Sequence, residues 1–311
     1  MKTGSSGTAA GPLDIPDVRV EREYQAASHR RDLTGQVVLI SGAGRGLGRL
    51  LAAVLAASGA KVGLLARSTG QLSAAVAEIE RADGTAAAVT ADVTDRPSLA
   101  AAVEELTGRL GQPDVLINNA GIGGPFGQMW DVDPEEWVQT FDINLNGAFA
   151  LTRIVLPEMV ARGRGRIINV TSNAGVYRWP LASAYAASKA ALVKLSETLA
   201  VETKRYGITV FSFDPGLLPI GLPEPALAGQ TRDLSAAEAT VLGWMREQIA
   251  SGHGADPGQS VRQLVRLAAG DGDRLSGRHL TVTDDLDAIL ANIDQVRRED
   301  LHHLRVRTAV G

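Results

Sequence analysis

Short apolar segments typical of β-strands alternate with helix-like segments along most of the chain, and this alternation limits the possible folds most. The first unit is the apolar run Val37–Ile40, followed by the glycine-rich turn Ser41–Gly48 and an Ala/Leu-rich helix from about Gly46 to Ser58. A strand, a glycine turn and a helix in this order form the first half of a parallel βαβ unit.

The same alternation continues to residue 283. The further predicted strands are Lys61–Leu65, Ala86–Thr90, Val115–Asn118, Arg166–Thr171, Ile208–Phe213 and Arg278–Thr283. The further predicted helices are Gly70–Ala82, Arg96–Leu110, a helical region over Pro134–Ala161, a helix carrying Tyr185 that reaches about Tyr206, Ser235–Ala250 and Pro257–Ala269. The sequence therefore predicts an α/β fold, a Rossmann-type doubly wound parallel sheet with helices on both faces.

Three segments differ from this regular pattern. Residues 1–32 are rich in Gly, Ser, Pro and charge, and we predict a flexible N-terminal arm. Residues 33–283 form the predicted domain, in which the irregular stretch of about 216–256 has the length of a substrate lid. Residues 284–311 place apolar side chains at roughly helical spacing, so we predict a helical tail with one packed face.

Composition excludes several functional classes. Lys and Arg number 31 against 35 Asp and Glu, with no basic block of the kind that binds phosphate backbones, so no nucleic-acid partner is expected. The chain has no cysteine, and its five histidines show no metal-ligand spacing, so no metal is expected. No apolar stretch is long enough to cross a membrane, and a cytoplasmic protein without membrane attachment is expected.

Tyr185 and Lys189 are four residues apart, on one face of the predicted helix. A phenol ordinarily titrates near 10, so proton transfer near pH 7 requires about 4 kcal/mol of stabilisation of its anion. An ammonium about 4 Å away supplies about that much at an effective dielectric constant near 20. The pair is therefore a candidate for acid/base chemistry, although the same spacing also occurs on ordinary solvated helices.

Gly42, Gly46 and Gly48 lie where the first strand meets a helix N-terminus, with the spacing G-x-x-x-G-x-G. Bare backbone there can approach a pyrophosphate, and the helix dipole favours its charge. The glycines could also form only a tight turn, but the flanking strand and helix favour nucleotide binding.

The end of the second strand indicates which dinucleotide is preferred. An acidic side chain there would bind the ribose 2′-hydroxyl of NAD, but this strand ends in Leu65-Ala66-Arg67. Arg67 and Arg45 offer guanidinium groups suited to a 2′-phosphate, so NADP(H) is favoured and NAD(H) remains an alternative. The competing interpretation is that both arginines are solvated surface charges.

The motifs together resemble the classical short-chain dehydrogenase/reductase family over about Leu33–Thr283. They are Ser41–Gly48, Asp92-Val93, Asn118-Asn-Ala-Gly121, Asn144, Ser172, Tyr185–Lys189 and Pro215-Gly216, with Ser172 thirteen residues before Tyr185. The resemblance implies that Tyr185 is the general acid/base, Ser172 orients the substrate oxygen, Lys189 lowers the tyrosine pKa and holds the ribose, and Asn144 holds a water of the proton relay.

It also implies that Asp92 and Val93 contact the adenine and that Asn118–Gly121 line the cofactor. The complete predicted cofactor-binding set is Ser41, Gly42, Arg45, Gly46, Leu47, Gly48, Arg67, Asp92, Val93, Asn119, Ala120, Gly121, Tyr185, Lys189, Pro215, Gly216 and Leu218.

Three features depart from the family pattern. Ser41 stands where the family often has Thr, and keeps the hydroxyl. Pro215-Gly-Leu-Leu-Pro-Ile220 lacks the threonine that would contact the nicotinamide carboxamide, and Thr283-Asp-Asp-Leu-Asp287 with the helical tail replaces the usual glycine-rich ending.

The sequence therefore predicts an oxidoreductase that transfers hydride between a nicotinamide and a carbonyl or secondary alcohol. A redox-neutral enzyme of the same fold, such as an epimerase, eliminase or cyclase, is the alternative, and a nucleotide-sensing protein without turnover is a third hypothesis. We expect a homodimer or homotetramer built on the helices that carry Asn144 and Tyr185.

The side chains expected around the nicotinamide are mainly apolar and aromatic. They are Val176-Tyr-Arg-Trp-Pro-Leu181 after Ser172, and Leu217, Leu218, Ile220, Leu222, Leu242, Trp244 and Met245 in the lid. Arg178 is the one charge in these segments, so a bulky, mainly apolar ketone or alcohol is the expected substrate. The alternative is that the lid side chains only form the face on which its helix packs.

Overall fold

Seven strands form one parallel sheet in the computed structural model, which describes residues 31–221 and 234–306. The strands are β1 Val37–Ser41, β2 Lys61–Ala66, β3 Thr85–Thr90, β4 Val115–Asn118, β5 Gly165–Val170, β6 Ile208–Asp214 and β7 His279–Thr281. Their order across the sheet is β3-β2-β1-β4-β5-β6-β7. The direction of winding reverses between β1 and β4, and ligands of such sheets bind in the crevice outside the carboxyl ends of the strands at that point.

Ten α-helices are described within those ranges. They are α1 Gly46–Ala57, α2 Thr69–Arg81, α3 Arg96–Leu110, α4 Pro134–Phe141, α5 Gly147–Arg162, α6 Ser183–Thr203, α7 Ala236–Ala250, α8 Pro257–Ala269, α9 Leu286–Ala291 and α10 Ile293–Arg298. The predicted arm up to residue 30, the lid residues 222–233 including Leu222, and the tail beyond residue 306 lie outside the described residues.

The alternation of side chains along each strand produces two core layers. Val38 and Ile40 of β1 face a layer built with α1, α2 and α8, whereas Val37 and Leu39 face a layer built with α3, α5 and α6. Every residue of β1 is buried, as expected for a parallel strand covered by helices on both faces. The predicted doubly wound sheet is therefore confirmed.

Short acidic or hydroxyl side chains and prolines fix where several helices begin. Asp95, Asp133 and Asp256 each accept a backbone N–H from the first turn of α3, α4 and α8, and each of these helices has a proline in that turn. Ser235 and Glu238 form a reciprocal capping box at the start of α7. These local interactions explain why the helix starts were predictable from the sequence.

The predicted helical region over Pro134–Ala161 is helical throughout but is not a single α-helix. It divides into α4 and α5, which are joined by a π-helical turn over Asp142–Asn146 that contains Asn144. The extra residue in a π-helical turn rotates the side chains that follow it, and such turns are frequent at functional sites.

The chain after β6 also differs from the prediction. The last strand is His279–Thr281 rather than Arg278–Thr283, because the backbone N–H of Thr281 and the side chain of Asp284 close a turn directly after it. The tail forms two short helices, which divide at Asn292 and bury Leu286, Ile293 and Val296 in the core layer of α8. None of the helices in the described ranges is long and apolar enough to cross a membrane.

Candidate active site

A cavity of about 1910 Å³ opens at the carboxyl ends of the strands, beside the reversal point between β1 and β4. A single drug-sized ligand needs about 300–1,000 Å³, so this space is sufficient for a dinucleotide and a substrate together. The predicted site residues that line it are Gly42, Arg45, Leu47, Arg67, Asp92, Val93, Asn119, Ala120, Gly121, Ser172, Tyr185, Lys189, Pro215, Gly216 and Leu218. Four predicted residues, Ser41, Gly46, Gly48 and Asn144, lie behind its wall.

Tyr185, Ser172 and Lys189 converge on one part of the cavity wall. Ser172 follows β5 at the 3₁₀ turn Asn173–Gly175, and its hydroxyl accepts the N–H of Ala174 at 3.2 Å and shares a hydrogen bond with the Tyr185 phenol. Lys189 is 4% exposed, and its ammonium lies 5.7 Å from the centre of the Tyr185 ring. The predicted trio is therefore assembled in the cavity.

The electrostatics of this trio differ from the expectation that Lys189 lowers the tyrosine pKa. Burial raises the pKa of Tyr185 to about 12, the hydrogen bond with Ser172 opposes that shift, and the negative charge of Asp214 adds to it. Lys189 donates instead to the carbonyl oxygen of Val170 at 2.8 Å. Burial also lowers the pKa of Lys189 to about 8, against the opposing charge of Asp214.

Asn144 is fully buried in the π-helical turn and connects three segments. Its side-chain amide donates to the carbonyl oxygen of Ile122 at 3.0 Å and to the hydroxyl of Ser188 at 3.1 Å, and its oxygen accepts the N–H of Ile122 at 2.8 Å. Asn144 thus connects the segment after β4 to Ser188 of α6, the residue directly before Lys189.

The glycine turn is set by close backbone packing. Gly42 and Gly46 have positive φ angles of +66° and +56°, and a Cβ at Gly42 would lie 2.8 Å from the Cα of Ala120. At Gly48 a Cβ would overlap the carbonyl oxygen of Gly42. The turn and helix α1 therefore approach each other more closely than any residue with a side chain allows.

Ser41 and Asn119 act as the internal support of this turn. The Ser41 hydroxyl accepts the N–H groups of Asn119 and Ala120 at 3.1 Å each, and the Asn119 amide donates to the carbonyl oxygens of Ser41 and Gly42. Asn118, which the resemblance implies lines the cofactor, is buried and does not line the cavity: its amide donates to Thr152 of α5 and Asn169 of β5.

Arg45 and Arg67 both lie on the cavity wall near the end of β2. The Arg67 guanidinium is 3.9 Å from the Asp92 carboxylate, with 68% of its side chain exposed. Arg45 donates to the carbonyl oxygen of Gly221 at 3.0 Å. Ser68, which caps α2, and Gln71 line the same region, and sequence reasoning did not identify either of them.

The opposite end of the cavity is aromatic. Trp179 and Trp244 pack edge to face with ring centres 5.2 Å apart, which joins the segment after Ser172 to lid helix α7. The apolar side chains lining this end are Phe126, Val176, Tyr177, Trp179, Leu217, Leu218, Ile220, Leu242, Trp244 and Met245. Arg178 does not line the cavity.

Sequence reasoning missed a polar sector of the wall formed by residues near β7 and the tail. This sector contains Asp214, Asp256, Asp284, His253, His279, His302 and His303. Burial lowers the pKa of His279 to about 4, so that side chain is neutral near pH 7. The expectation that mainly apolar and aromatic side chains surround the site is therefore wrong for this sector. No spacing signal identified it, because its members come from distant parts of the chain.

Comparisons with known proteins agree with this architecture. The family model described as short chain dehydrogenase matches residues 36–222. Short chain dehydrogenase pigC of Monascus ruber is 31% identical over 93% of this chain and 93% of its own length. A monensin polyketide synthase putative ketoacyl reductase of Streptomyces virginiae is 35% identical over 76% of this chain and 91% of its own. A crystal structure of an actinorhodin polyketide ketoreductase variant with NADPH is 29% identical, with a TM-score of 0.70, and is matched over 84% of this chain and 98% of its own.

Proposed function

The chain belongs to the short-chain dehydrogenase family and is an oxidoreductase of CH–OH and C=O groups, and from this premise we propose its cofactor, its site roles and its substrate class. The proposed reaction is hydride transfer between NADP(H) and a carbonyl or secondary alcohol of a bulky, mainly apolar compound. The observation that carries the proposal is the hydrogen-bonded pair Tyr185 and Ser172, with Lys189 beside it, in the cavity that also contains the glycine turn.

The glycine turn fits a dinucleotide. Helix α1 begins without a side-chain cap, and Gly42 and Leu47 at its start line the cavity, so backbone N–H groups of its first turn are available to a phosphate placed there. The positive φ angle of Gly42 and its close packing against Ala120 hold this turn in shape. We assign the pyrophosphate to this turn, the adenine to the Asp92-Val93 segment, and the nicotinamide to the region of Pro215, Gly216 and Leu218.

A nicotinamide bound there supplies or accepts the hydride at the reacting carbon. Tyr185 donates its phenolic proton to the carbonyl oxygen in reduction and accepts it in oxidation. Ser172 orients the same oxygen through its hydroxyl, since it is already hydrogen-bonded to the phenol. We assign to Lys189 the contact with the ribose, and its ammonium, 5.7 Å from the centre of the Tyr185 ring, would stabilise negative charge that develops on the phenol during proton transfer.

Asn144 does not line the cavity and acts on the site through the residues it contacts. Its contacts fix Ile122 and Ser188, and the latter hydroxyl also donates to the carbonyl oxygen of Tyr185 at 2.8 Å. We assign to Asn144 the role of positioning the start of α6 and, with it, the water that resupplies protons to Lys189.

The preference for NADP(H) is supported by the charges at the end of β2. No carboxylate stands at Ala66 or Arg67, and Arg67 lines the cavity directly before Ser68, the cap of α2. A 2′-phosphate placed there would meet the Arg67 guanidinium and a helix N-terminus. Arg45 adds a second positive charge to the same cavity, where its guanidinium donates to the carbonyl oxygen of Gly221. Asp92, 3.9 Å from Arg67, is the group that would instead favour NAD(H).

The substrate class is supported by the aromatic end of the cavity, where Trp179 and Trp244 form an edge-to-face corner. The polar sector near β7 carries carboxylates and histidines rather than arginine or lysine, so it does not attract small anionic keto acids. We propose a polycyclic, terpenoid or polyketide-like ketone or alcohol. The redox-neutral alternative and the nucleotide sensor have no separate observation in their favour.

The proposal is tested by steady-state turnover of the purified chain with NADPH and with NADH on a graded series of cyclic and open-chain ketones. We expect stoichiometric loss of absorbance at the nicotinamide band, faster with NADPH, and efficiency that rises with apolar size because each buried methylene contributes about 0.8 kcal/mol. Product formation without a change in that absorbance would favour the redox-neutral alternative. Best activity on small charged keto acids would refute the substrate class.

A further inference from the structure

Asp214, the last residue of β6, is a buried carboxylate that takes part in none of the steps assigned above. It lies directly before the turn Pro215-Gly216, it is 5% exposed, and it lines the cavity. An ionised carboxylate is costly to bury unless hydrogen bonds and opposite charge compensate it. Burial raises the pKa of Asp214, and backbone hydrogen bonds and the charge of Lys189 oppose that shift. The groups that compensate Asp214 therefore indicate what it does.

The hydrogen bonds of Asp214 join two cavity segments. Its carboxylate accepts the backbone N–H of Gly216 at 2.9 Å and the backbone N–H of Asn173. Asn173 directly follows Ser172, and Gly216 belongs to the turn assigned to the nicotinamide. One side chain thus connects the segment that orients the substrate oxygen to the segment that positions the cofactor.

The charge of Asp214 is directed at the proton-transfer groups. Lys189 and Tyr185 face it from α6, and both respond electrostatically to its negative charge. Asp284, in the turn after β7, faces it from the other side and repels it. Asp284 is itself 3.9 Å from the imidazole of His302. Among these three groups, Lys189 alone carries a charge opposite to that of Asp214.

We propose that Asp214 is a positioning residue of the reaction, which ties the Ser172 segment to the Pro215-Gly216 turn and places a negative charge in the same cavity wall as Lys189 and Tyr185. This inference rests on the proposed function, because it acts through Ser172 and Lys189.

The sign of the effect follows from the charges. Burial lowers the pKa of Lys189, and the nearby anion opposes that shift, so removing the anion lowers the pKa of Lys189 further. The same anion raises the pKa of Tyr185, so its removal lowers that pKa as well. Both titrations move to lower pH when Asp214 loses its charge. If Asp214 only capped the turn, loss of its charge would leave the pKa values of Lys189 and Tyr185 unchanged.

Two variants separate charge from structure. Asp214→Asn removes the charge and keeps the size of the side chain, and Asp214→Ser serves the same purpose if the asparagine variant does not fold. The matched control is Ser260→Ala, because the buried Ser260 hydroxyl donates to the carbonyl oxygen of Pro215 at 2.8 Å and supports the same turn without charge.

The first measurement is ¹³C NMR titration of the lysine ε carbons in the ligand-free chain. The chain has five lysines, and the Lys189 signal is assigned by its loss in Lys189→Ala. We expect the Lys189 midpoint to fall by about one pH unit in Asp214→Asn and to stay unchanged in Ser260→Ala. An unchanged midpoint in a folded Asp214 variant would overturn the proposal.

The second measurement is the pH profile of kcat with the best ketone found. We expect the profile of the Asp214 variant to move to lower pH, with a lower maximum, while that of Ser260→Ala keeps its midpoints. If the wild-type chain turns over no ketone, the proposed function fails, and the NMR titration still decides the charge effect. If the wild-type chain is active and the variant's profile does not move, the Asp214 proposal fails alone.

Discussion

Replacing Arg67 with alanine is expected to weaken the binding of NADPH and to leave the binding of NADH nearly unchanged. A charge-assisted hydrogen bond from a guanidinium to phosphate contributes about 1.5–3 kcal/mol. The Arg67 side chain is 68% exposed and lies 3.9 Å from Asp92, so solvent and the competing carboxylate reduce its contribution to the lower end of that range. The expected loss is therefore about tenfold in the dissociation constant for NADPH.

The assay is fluorescence titration of both reduced cofactors against the wild type, Arg67→Ala and a control, Arg164→Ala. Arg164 is the matched control, because its side chain is 71% exposed and pairs with Asp114 at the opposite end of the strands. We expect the ratio of the two dissociation constants to change in Arg67→Ala and to stay constant in Arg164→Ala. Equal losses for NADPH and NADH, or no loss for either, would refute the assignment of the 2′-phosphate to this position.

Three further predictions concern the substrate wall, the tail and assembly. Trp244→Ala should lower kcat/KM for bulky cyclic ketones by about tenfold and change it little for acetone-sized ketones, because the substitution removes the ring that packs on Trp179 in the cavity wall. An equal loss of kcat/KM for both sizes would contradict a role of Trp244 in binding bulky substrates. Burial alone would raise the pKa of Glu197, but hydrogen bonds from Lys194, Leu304 and Arg305 outweigh it and lower that pKa. Glu197→Gln should therefore reduce the free energy of unfolding near pH 7, and this loss should disappear as the pH falls through the folded-state pKa of Glu197. Denaturant unfolding measures the loss, with exposed Glu202→Gln as control, and a loss that persists in acid would refute the prediction. We propose a homodimer or homotetramer through α5, which follows the turn with Asn144, and α6, on which Val201 is 78% exposed. Light scattering should show an oligomer that Val201→Glu weakens, and a monomeric wild type at micromolar concentration would exclude this assembly.

The strands were predictable because a parallel sheet covered on both faces requires uninterrupted apolar runs, which residues 37–40 and 115–117 both display. The π-helical turn was not predictable, because no residue pattern in Asp142–Asn146 marks an extra residue in a helical turn, whereas the structure holds this turn through the contacts of Asn144. The short strand β7 likewise depends on the turn closed by Asp284. Local sequence patterns do not encode these contacts.

The site could be predicted where a spacing or a motif carried the signal. Tyr185, Lys189 and Ser172 follow from the resemblance, and the cavity contains all three. Their pKa values could not be predicted, because burial sets the direction for both Tyr185 and Lys189, and burial depends on the whole fold. Asp214 gave no signal at all, since a lone carboxylate at a strand end becomes notable only when its neighbours are known.

The central claim, that Tyr185 transfers the proton in nicotinamide-dependent turnover, is tested most directly by comparing Tyr185→Phe with the wild type on the best ketone. Phenylalanine keeps the ring and removes the hydroxyl that bonds to Ser172. We predict that NADPH binds to the variant with an affinity within a few fold of the wild type, while kcat falls at least 1,000-fold, as expected when a general acid/base is lost along with its orientation of the substrate oxygen (~10²–10⁴-fold). Turnover by Tyr185→Phe at a rate near that of the wild type would contradict the account.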